Sequence, residues 1–176
     1  MFYVSEPLTT PPLQFSTDLQ RVVYQKFTKK GIPFTRVDTD PGLTMEDCQH
    51  IDAKIGVHIV KTIFVCNRQQ TEFYLYVTSD GKPFVTRDFC TALGGIPRVS
   101  FASADKLKEI AGVEVGATTI LSAVLPSAQN VHLVMDAAIA QAPEFACTDG
   151  TATCFVKIRT KDLLEKYLAG RTLTII

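Results

Sequence analysis

The chain has 176 residues, of which 46% are hydrophobic and 20% are charged, as is usual for a globular protein with a buried core. Its 18 basic and 18 acidic residues cancel, which excludes a protein that binds DNA mainly by neutralising phosphates, although RNA could still be held through a local patch. The five cysteines are odd in number and form no C-x-x-C pair, so they predict neither a zinc site nor a set of disulfides.

The predicted elements follow an extended arm at residues 1–15. Helices are predicted where a capping residue precedes a stretch with an apolar side, and several end at a glycine. In chain order they cover residues 18–30, 45–54, 86–93, 104–111, 137–142 and 161–169. Strands are predicted at 34–38, 57–66, 71–77, 99–102, 120–124, 131–135 and 152–158. A turn is expected at Asp40–Gly42, and Thr160 is expected to cap the final helix.

Residues 115–135 carry no Asp, Glu, Lys or Arg and approach the roughly 20 residues of a membrane span. Pro126 and the polar residues after it interrupt this stretch, so we interpret it as two strands joined by a turn and expect no membrane segment. The N-terminus lacks a basic region followed by an apolar core, so no signal peptide is expected. Together with the unpaired cysteines, this predicts a protein of the reducing cytoplasm.

Helices and strands interleave irregularly, and residues 57–77 are typical of a β-hairpin with its turn at Asn67–Gln70. This order predicts an α+β fold with a central mixed, largely antiparallel β-sheet surrounded by helices. We expect one domain, at residues 1–176.

Lys61 stands in the first strand of this hairpin, which is otherwise nearly all apolar, as in a strand covered on both faces. Burying an unpaired ammonium is costly, so the side chain either extends to a sheet edge or faces a polar cavity. In a cavity, it could bind a carbonyl, a phosphate or a hydroxyl.

The loop at residues 112–119 contains Gly112 and Gly116. In one interpretation, the glycines simply reverse the chain with positive φ angles. In the other, exposed backbone N–H groups in this loop hold an oxyanion or a phosphate, with Thr118 and Thr119 adding hydroxyls.

Other candidate groups are weaker. His50 lies among polar residues of a predicted helix and is interpreted as solvated, whereas His58 and His132 have no acidic or cysteine neighbour at an informative spacing, so none of the three is predicted to be a catalytic base. Cys147–Gly150 is typical of a plain turn. The same segment would also offer a thiol, a hydroxyl and a carboxylate, which leaves open a cysteine-dependent hydrolase of thioesters or amides.

The chain resembles the bacterial YbaK and prolyl-tRNA-synthetase-associated editing domains, most closely the free-standing alanyl-tRNA(Pro) deacylases. The resemblance spans residues 19–168. Six stretches carry it: Gly31–Phe34, Thr44–Cys48, Val60–Arg68, Val99–Ala104, Gly112–Ile120 and Asp162–Leu164. Their order and spacing are more specific than any one of them.

The resemblance implies a mixed sheet flanked by helices and hydrolysis, without a metal or other cofactor, of the ester that joins a wrong amino acid to the 3′ end of tRNA. Lys61 would orient the terminal adenosine or the acyl group. The amides of the loop at Gly116, Ala117, Thr118 and Thr119 would face the reacting carbonyl. Prolyl-tRNA synthetase is the protein partner that the resemblance suggests.

The substrate pocket would select by size, admitting a small acyl group and excluding proline. Phe34 and Met45 are expected as its walls, and Thr62, Thr148 and Asp149 as further contacts. Three residues depart from the pattern of the family: Thr62 stands in place of an asparagine, Ile120 in place of the loop proline and Thr148 in place of a histidine. These departures leave two alternatives, a different mischarged substrate or a non-catalytic module that binds tRNA or a synthetase.

Overall fold

The structure, a computed structural model, describes residues 1–41 and 43–176. Its α-helices are α1 (Asp18–Lys30), α2 (Met45–Ile55), α3 (Thr86–Ala92), α4 (Ala104–Lys106), α5 (Ala137–Gln141) and α6 (Thr160–Asp162). Helices α4 and α6 each continue as a π-helical turn, over Leu107–Ala111 and Leu163–Tyr167. Two 3₁₀ helices cover Ile120–Val124 and Pro126–Ala128. Across these residues, no helix combines the length and apolar character needed to cross a membrane.

The eight strands are β1 (Thr35–Asp38), β2 (Val60–Asn67), β3 (Phe73–Ser79), β4 (Val99–Phe101), β5 (His132–Met135), β6 (Glu144–Thr148), β7 (Cys154–Arg159) and β8 (Leu173–Ile175). Five of them form a sheet in the order β4-β2-β3-β5-β8, in which β5 pairs parallel to both neighbours and the other pairs are antiparallel. The order β1-β7-β6 forms a second, antiparallel sheet. A parallel bridge between Ile59 and Ala146 joins the two sheets. The predicted α+β class with a mixed, largely antiparallel sheet is confirmed.

Strand β2 is covered on both of its faces, as its apolar sequence predicted. Phe64 packs into the larger apolar cluster, with α1 and the end of the chain, whereas Ile63 and Val65 pack into a second cluster with Phe89 of α3. Because side chains alternate along a strand, each cluster takes every second residue of β2. The first three residues of the strand, among them Lys61, and its last residue, Asn67, are partly exposed.

Local signals located the two longest helices accurately. The side chain of Thr17 accepts a hydrogen bond from Gln20 N at the start of α1, and Gly31 ends that helix with a φ of 62°. Thr44 and Asp47 form a reciprocal capping box at the start of α2. The arm at residues 1–15 pairs with β1 through Leu8 and through a bridge from Val4 to Thr39.

The strand predicted at residues 120–124 is wrong, because this segment is a 3₁₀ helix whose first turn is capped by Thr119. Four of its five residues are buried, and a short apolar run that is buried on all sides does not distinguish a strand from a helix. The second strand of that pair is confirmed as β5. The predicted turn at Asp40–Gly42 includes Gly42, which lies outside the described residues.

Two further predictions near the C-terminus are corrected. Cys147 and Thr148 belong to β6 rather than to a plain turn, because β6 pairs with β7 along its length. Arg159, not Thr160, occupies the capping position of α6, and the Thr160 hydroxyl is buried among the described residues without a hydrogen-bond partner. Strand β8 was not predicted; it pairs with β5 only after the whole chain has folded.

Candidate functional site

A cavity of about 280 Å³ lies at the junction of the two sheets, next to the Ile59–Ala146 bridge. Strands β2, β6 and β7, helix α2 and the loop before the first 3₁₀ helix contribute to its wall. Its lining residues are Leu43, Cys48, Ile59, Val60, Lys61, Thr62, Asp80, Gly116, Thr118, Thr148 and Phe155. Five of the ten predicted site residues are therefore brought together here: Lys61, Thr62, Gly116, Thr118 and Thr148.

Lys61 lies at the second position of β2, opposite Thr78 of β3. The residue is partly exposed, and its ammonium donates a hydrogen bond to the carbonyl oxygen of Lys82 at 2.5 Å. That carbonyl belongs to the turn in which Lys82 N donates to Ser79 O. An ammonium has three N–H donors, so two remain for other acceptors at the cavity.

The buried carboxylate of Asp136 holds this turn in place through the side chain of Lys82. Lys82 Nζ lies 3.0 Å from Oδ2 of Asp136, at the end of β5, and the same carboxylate accepts hydrogen bonds from the hydroxyls of Tyr76 and Thr78. Burial acts to raise the pKa of Asp136, but the hydrogen bonds from Thr78, Tyr76 and Lys82 outweigh it and hold the pKa below its usual value. The carbonyl that holds Lys61 is thus tied to the centre of the larger sheet.

The loop at residues 112–119 contributes Gly116 and Thr118 to the same cavity, with their backbone donors. Gly116 has a φ of 93°, and a Cβ built on it would meet no atom within 4 Å, so glycine is needed there for conformation rather than for space. The amide of Ala117 is taken by Glu114 O at 3.1 Å. The amides of Gly116 and Thr118 have no hydrogen-bond partner within residues 1–41 and 43–176. Both residues line the cavity, so their amides are donors available to a bound oxygen.

Two threonines of the cavity, Thr148 and Thr62, differ in whether their hydroxyls already form hydrogen bonds. Thr148 Oγ1 donates to the carbonyl of Thr151 and accepts from Gly150 N, so it stabilises its own turn. Thr62 Oγ1 is buried and, among the residues described, has no hydrogen-bond partner. Because an unpaired buried hydroxyl is unfavourable, Thr62 is a stronger candidate for a ligand contact than Thr148.

The structure does not bring the remaining predicted residues to the cavity. Ala117 is buried behind the loop. Thr119 is also buried, because its hydroxyl accepts from Leu121 N and donates to Cys147 Sγ. Met45 is 75% exposed at the first position of α2, where it points to solvent.

Phe34 and Asp149 lie in the core instead. The Phe34 ring packs against the rings of Tyr24 and Phe27, at centroid distances of 5.2 and 5.5 Å. Asp149 is fully buried, and its carboxylate accepts hydrogen bonds from Tyr24 Oη at 2.7 Å and Gln20 Nε2 at 2.9 Å. It joins α1 to the segment that follows Thr148, which makes its contact with the cavity indirect.

Sequence reasoning missed the apolar wall and one carboxylate. Ile59, Val60 and Phe155 supply most of the apolar surface, together with Leu43 and Cys48. Their composition carries no functional signal, because such residues are ordinary in strands and helices. Asp80 also lines the cavity, and its position before Gly81 indicated only a turn.

Neither a histidine nor Cys147 lines this cavity within the described part of the chain. His58 pairs with Asp52, and His132 pairs with Glu72. Burial raises the pKa of the Cys147 thiol to about 12, so that it stays protonated near neutral pH. The structure thus gives the cysteine-dependent alternative no activated thiol. No three His, Cys, Asp or Glu side chains of the described residues are grouped as a metal site would require.

Comparison with known proteins gives one family and several relatives. A sequence model of the aminoacyl-tRNA editing domain matches residues 39–166, a segment that includes Lys61 and Gly116. The prolyl-tRNA editing protein ProX of Acetoanaerobium sticklandii is 25% identical over 119 residues, which make up 68% of this chain and 72% of that protein.

Two solved structures share the fold. The hypothetical protein APE2540 superimposes with a TM-score of 0.67 at 22% identity, over 87% of this chain and 97% of the other. A candidate trans-editing enzyme for prolyl tRNA synthetase has a TM-score of 0.65 at 17% identity, over 92% of this chain and 98% of the other.

Proposed function

Because the chain belongs to the aminoacyl-tRNA editing domain family, the YbaK family, we propose that it hydrolyses the ester of mischarged tRNA, with Ala-tRNA(Pro) as the leading substrate. The observation that carries the proposal is a small cavity lined by Lys61 and by Gly116 and Thr118, whose amides have no hydrogen-bond partner among the described residues. A cation and free backbone donors are groups that can stabilise the developing oxyanion of ester hydrolysis.

The amides of Gly116 and Thr118 would bind the ester oxygen as it becomes negatively charged. Donors placed for that charge commonly contribute about 10²–10³ in rate each, because they need no reorganisation during the reaction. Water adds to the ester carbon, the bond from that carbon to the ribose oxygen breaks, and the ribose oxygen takes up a proton. The products are the free amino acid and uncharged tRNA.

Lys61 would position the substrate rather than transfer a proton. One of its donors is held by the Lys82 carbonyl, and the other two are available to the terminal adenosine or the acyl group. An aminoacyl ester is already activated, so an oriented water and a stabilised oxyanion can suffice. The neighbouring ribose hydroxyl of the tRNA would assist the water, as the family resemblance suggests.

Substrate selection would rest on the size of the cavity. Its volume of about 280 Å³ is small, and Ile59, Val60 and Phe155 line its apolar side. A compact acyl group such as alanyl fits the requirement of a second sieve that excludes the bulkier prolyl group. The free hydroxyl of Thr62 would contact the acyl group or the ribose. A prolyl-tRNA editing protein among the relatives supports tRNA(Pro) as the carrier.

A local cluster of cations supports an RNA partner despite the zero net charge. Lys26, Lys29 and Lys30 share one face of α1, and the Lys26 ammonium lies 4.9 Å from the centre of the Tyr167 ring. Burial lowers the pKa of Lys26, and the charges of Lys30, Arg171 and Lys29 lower it further. Because none of the three lysines forms an ion pair with a described residue, the lysine cluster is available to RNA phosphates, whereas Arg171 donates to the carbonyls of Ala123, Ala128 and Val131.

The test measures the release of alanine, serine and cysteine from charged tRNA(Pro). The wild type is expected to hydrolyse at least one of these esters, and Lys61→Ala is expected to lower the rate about 10- to 100-fold, since a hydrogen bond to a charged group is lost. Lys54→Ala serves as the control, because this exposed lysine of α2 pairs with Glu6 outside the cavity. Retained tRNA binding without hydrolysis of any ester would favour the non-catalytic binding module instead.

A further inference from the structure

Asp80 is a cavity carboxylate that local structure does not explain. It lies in the Ser79–Lys82 turn, where aspartate side chains often accept hydrogen bonds from nearby backbone. Asp149 does so with Thr151 N, two residues further along the chain. Within residues 1–41 and 43–176, the Asp80 carboxylate has neither a hydrogen bond nor an ion pair.

Lys61, the basic residue in the cavity wall, does not neutralise the charge of Asp80. Lys61 lines the same cavity, but its ammonium donates to the Lys82 carbonyl rather than to Asp80. The charge of Asp80 also acts on Cys48 of α2, which lines the same cavity. Burial raises the pKa of the Cys48 thiol, and the negative charge of Asp80 raises it further, by more than those of Asp52 and Asp47. Asp80 is therefore a cavity-lining carboxylate that no described residue pairs.

The groups around the cavity match the parts of an aminoacyl ester. Such an ester presents a carbonyl, a protonated α-amine on the adjacent carbon and a side chain. The cavity presents the free amides of Gly116 and Thr118, the Asp80 carboxylate, and an apolar wall that includes Phe155. Donors, an anion and apolar surface are thus all present within about 280 Å³.

We propose that Asp80 binds the α-ammonium of the aminoacyl group, so that the site requires a substrate with a free α-amine. This inference rests on the proposed function and names the part of the substrate that the site recognises. Hydrogen bonds between an ammonium and a carboxylate are charge-assisted and are about twice as strong as neutral ones. Esters with an acylated α-amine, such as N-acetylaminoacyl-tRNA, lack the charge and leave the carboxylate without its partner on binding.

The experiment compares two substrates and three variants. Ala-tRNA(Pro) and its N-acetyl derivative are each incubated with the wild type, Asp80→Asn and Asp80→Glu. Asp105→Asn is the matched control, because this exposed aspartate of α4 lies outside the cavity. Since Asp80 is exposed in a turn, all variants are expected to fold, which thermal melting verifies.

The wild type is expected to prefer the free amine about 10- to 100-fold in kcat/KM. Asp80→Asn should lose about tenfold or more on Ala-tRNA(Pro), chiefly through KM, while its rate on the N-acetyl ester stays within about twofold. Asp80→Glu should recover part of the preference because it restores the carboxylate.

Equal activity of wild type and Asp80→Asn on Ala-tRNA(Pro), or an equal loss on both substrates, would overturn the role of Asp80 and leave the proposed function intact. A wild type that hydrolyses neither ester would overturn the proposed function and the inference with it.

Discussion

Replacing Gly116 by alanine tests whether the conformation of its loop carries the reaction. The φ of 93° lies in the region that side chains disfavour, but a Cβ would meet no atom within 4 Å. The substitution should therefore lower the free energy of unfolding by about 1–2 kcal/mol, which is the cost of the backbone conformation without any added clash. For a chain of this length, each kcal/mol corresponds to a fall of about 2–4 °C in Tm.

The effect on catalysis should be larger than the effect on stability. Relaxing the φ of residue 116 rotates its own amide and displaces that of Thr118, and both amides belong to cavity-lining residues and are unpaired among the described residues. Since one oxyanion donor is commonly worth about 10²–10³ in rate, kcat for deacylation should fall at least about 100-fold. Substrate affinity should change little, because the interaction strengthens only as charge develops on the ester oxygen.

Gly94→Ala is the matched control for this substitution. Gly94 has a φ of 84°, a Cβ on it would also meet no atom within 4 Å, and it lies after α3, away from the cavity. Both variants should show similar falls in Tm, but only Gly116→Ala should lose activity. If Gly116→Ala melts like Gly94→Ala and keeps the wild-type kcat on an ester that the protein hydrolyses, the loop amides do not stabilise the oxyanion.

Two further predictions concern charge. Because the pKa of Asp136 is below its usual value in the folded protein, its contribution to stability is present above about pH 4 and is lost as the pH falls through the lower folded value. Urea unfolding should be measured between pH 7 and pH 3 for the wild type and Asp136→Asn. The wild type should have the larger free energy of unfolding at pH 7, and the difference should disappear at acid pH. A difference that does not change with pH would contradict this. Replacing Lys26, Lys29 and Lys30 by glutamine should weaken tRNA binding and reduce the slope of log affinity against log salt by roughly 0.7–0.9 for each phosphate that the protein no longer neutralises. The ion-paired Lys106→Gln should leave that slope unchanged.

Predictions from sequence succeeded where the signal is local. The cap of α1 at Thr17, its end at Gly31 and the capping box at Thr44 each depend on residues within one helical turn. The segment at residues 120–124 was wrongly predicted because its burial comes from packing against distant elements. Strand β6 was missed for a similar reason, since its pairing with β7 is not encoded in its own short sequence.

For the candidate site, too, the sequence did not reveal what depends on contacts between distant residues. Phe34 and Met45 were plausible walls by composition, but one packs against the aromatic rings of α1 and the other points to solvent. Asp149 follows the cavity residue Thr148 in the sequence, yet its carboxylate lies in the core, where it accepts hydrogen bonds from Tyr24 and Gln20. Nothing in a single sequence tells a lining side chain from a core side chain, because both choices depend on neighbours far along the chain.

By itself, the sequence determined that a lysine interrupts an apolar strand, that a glycine loop follows the fourth helix, and where the longest helices begin and end. Only the tertiary structure decided that the start of β2, the Gly116 loop, Thr148 and Asp80 surround one cavity. The physical reason is that caps and turns form from adjacent residues, whereas a cavity between two sheets exists only after strands far apart in the chain have paired.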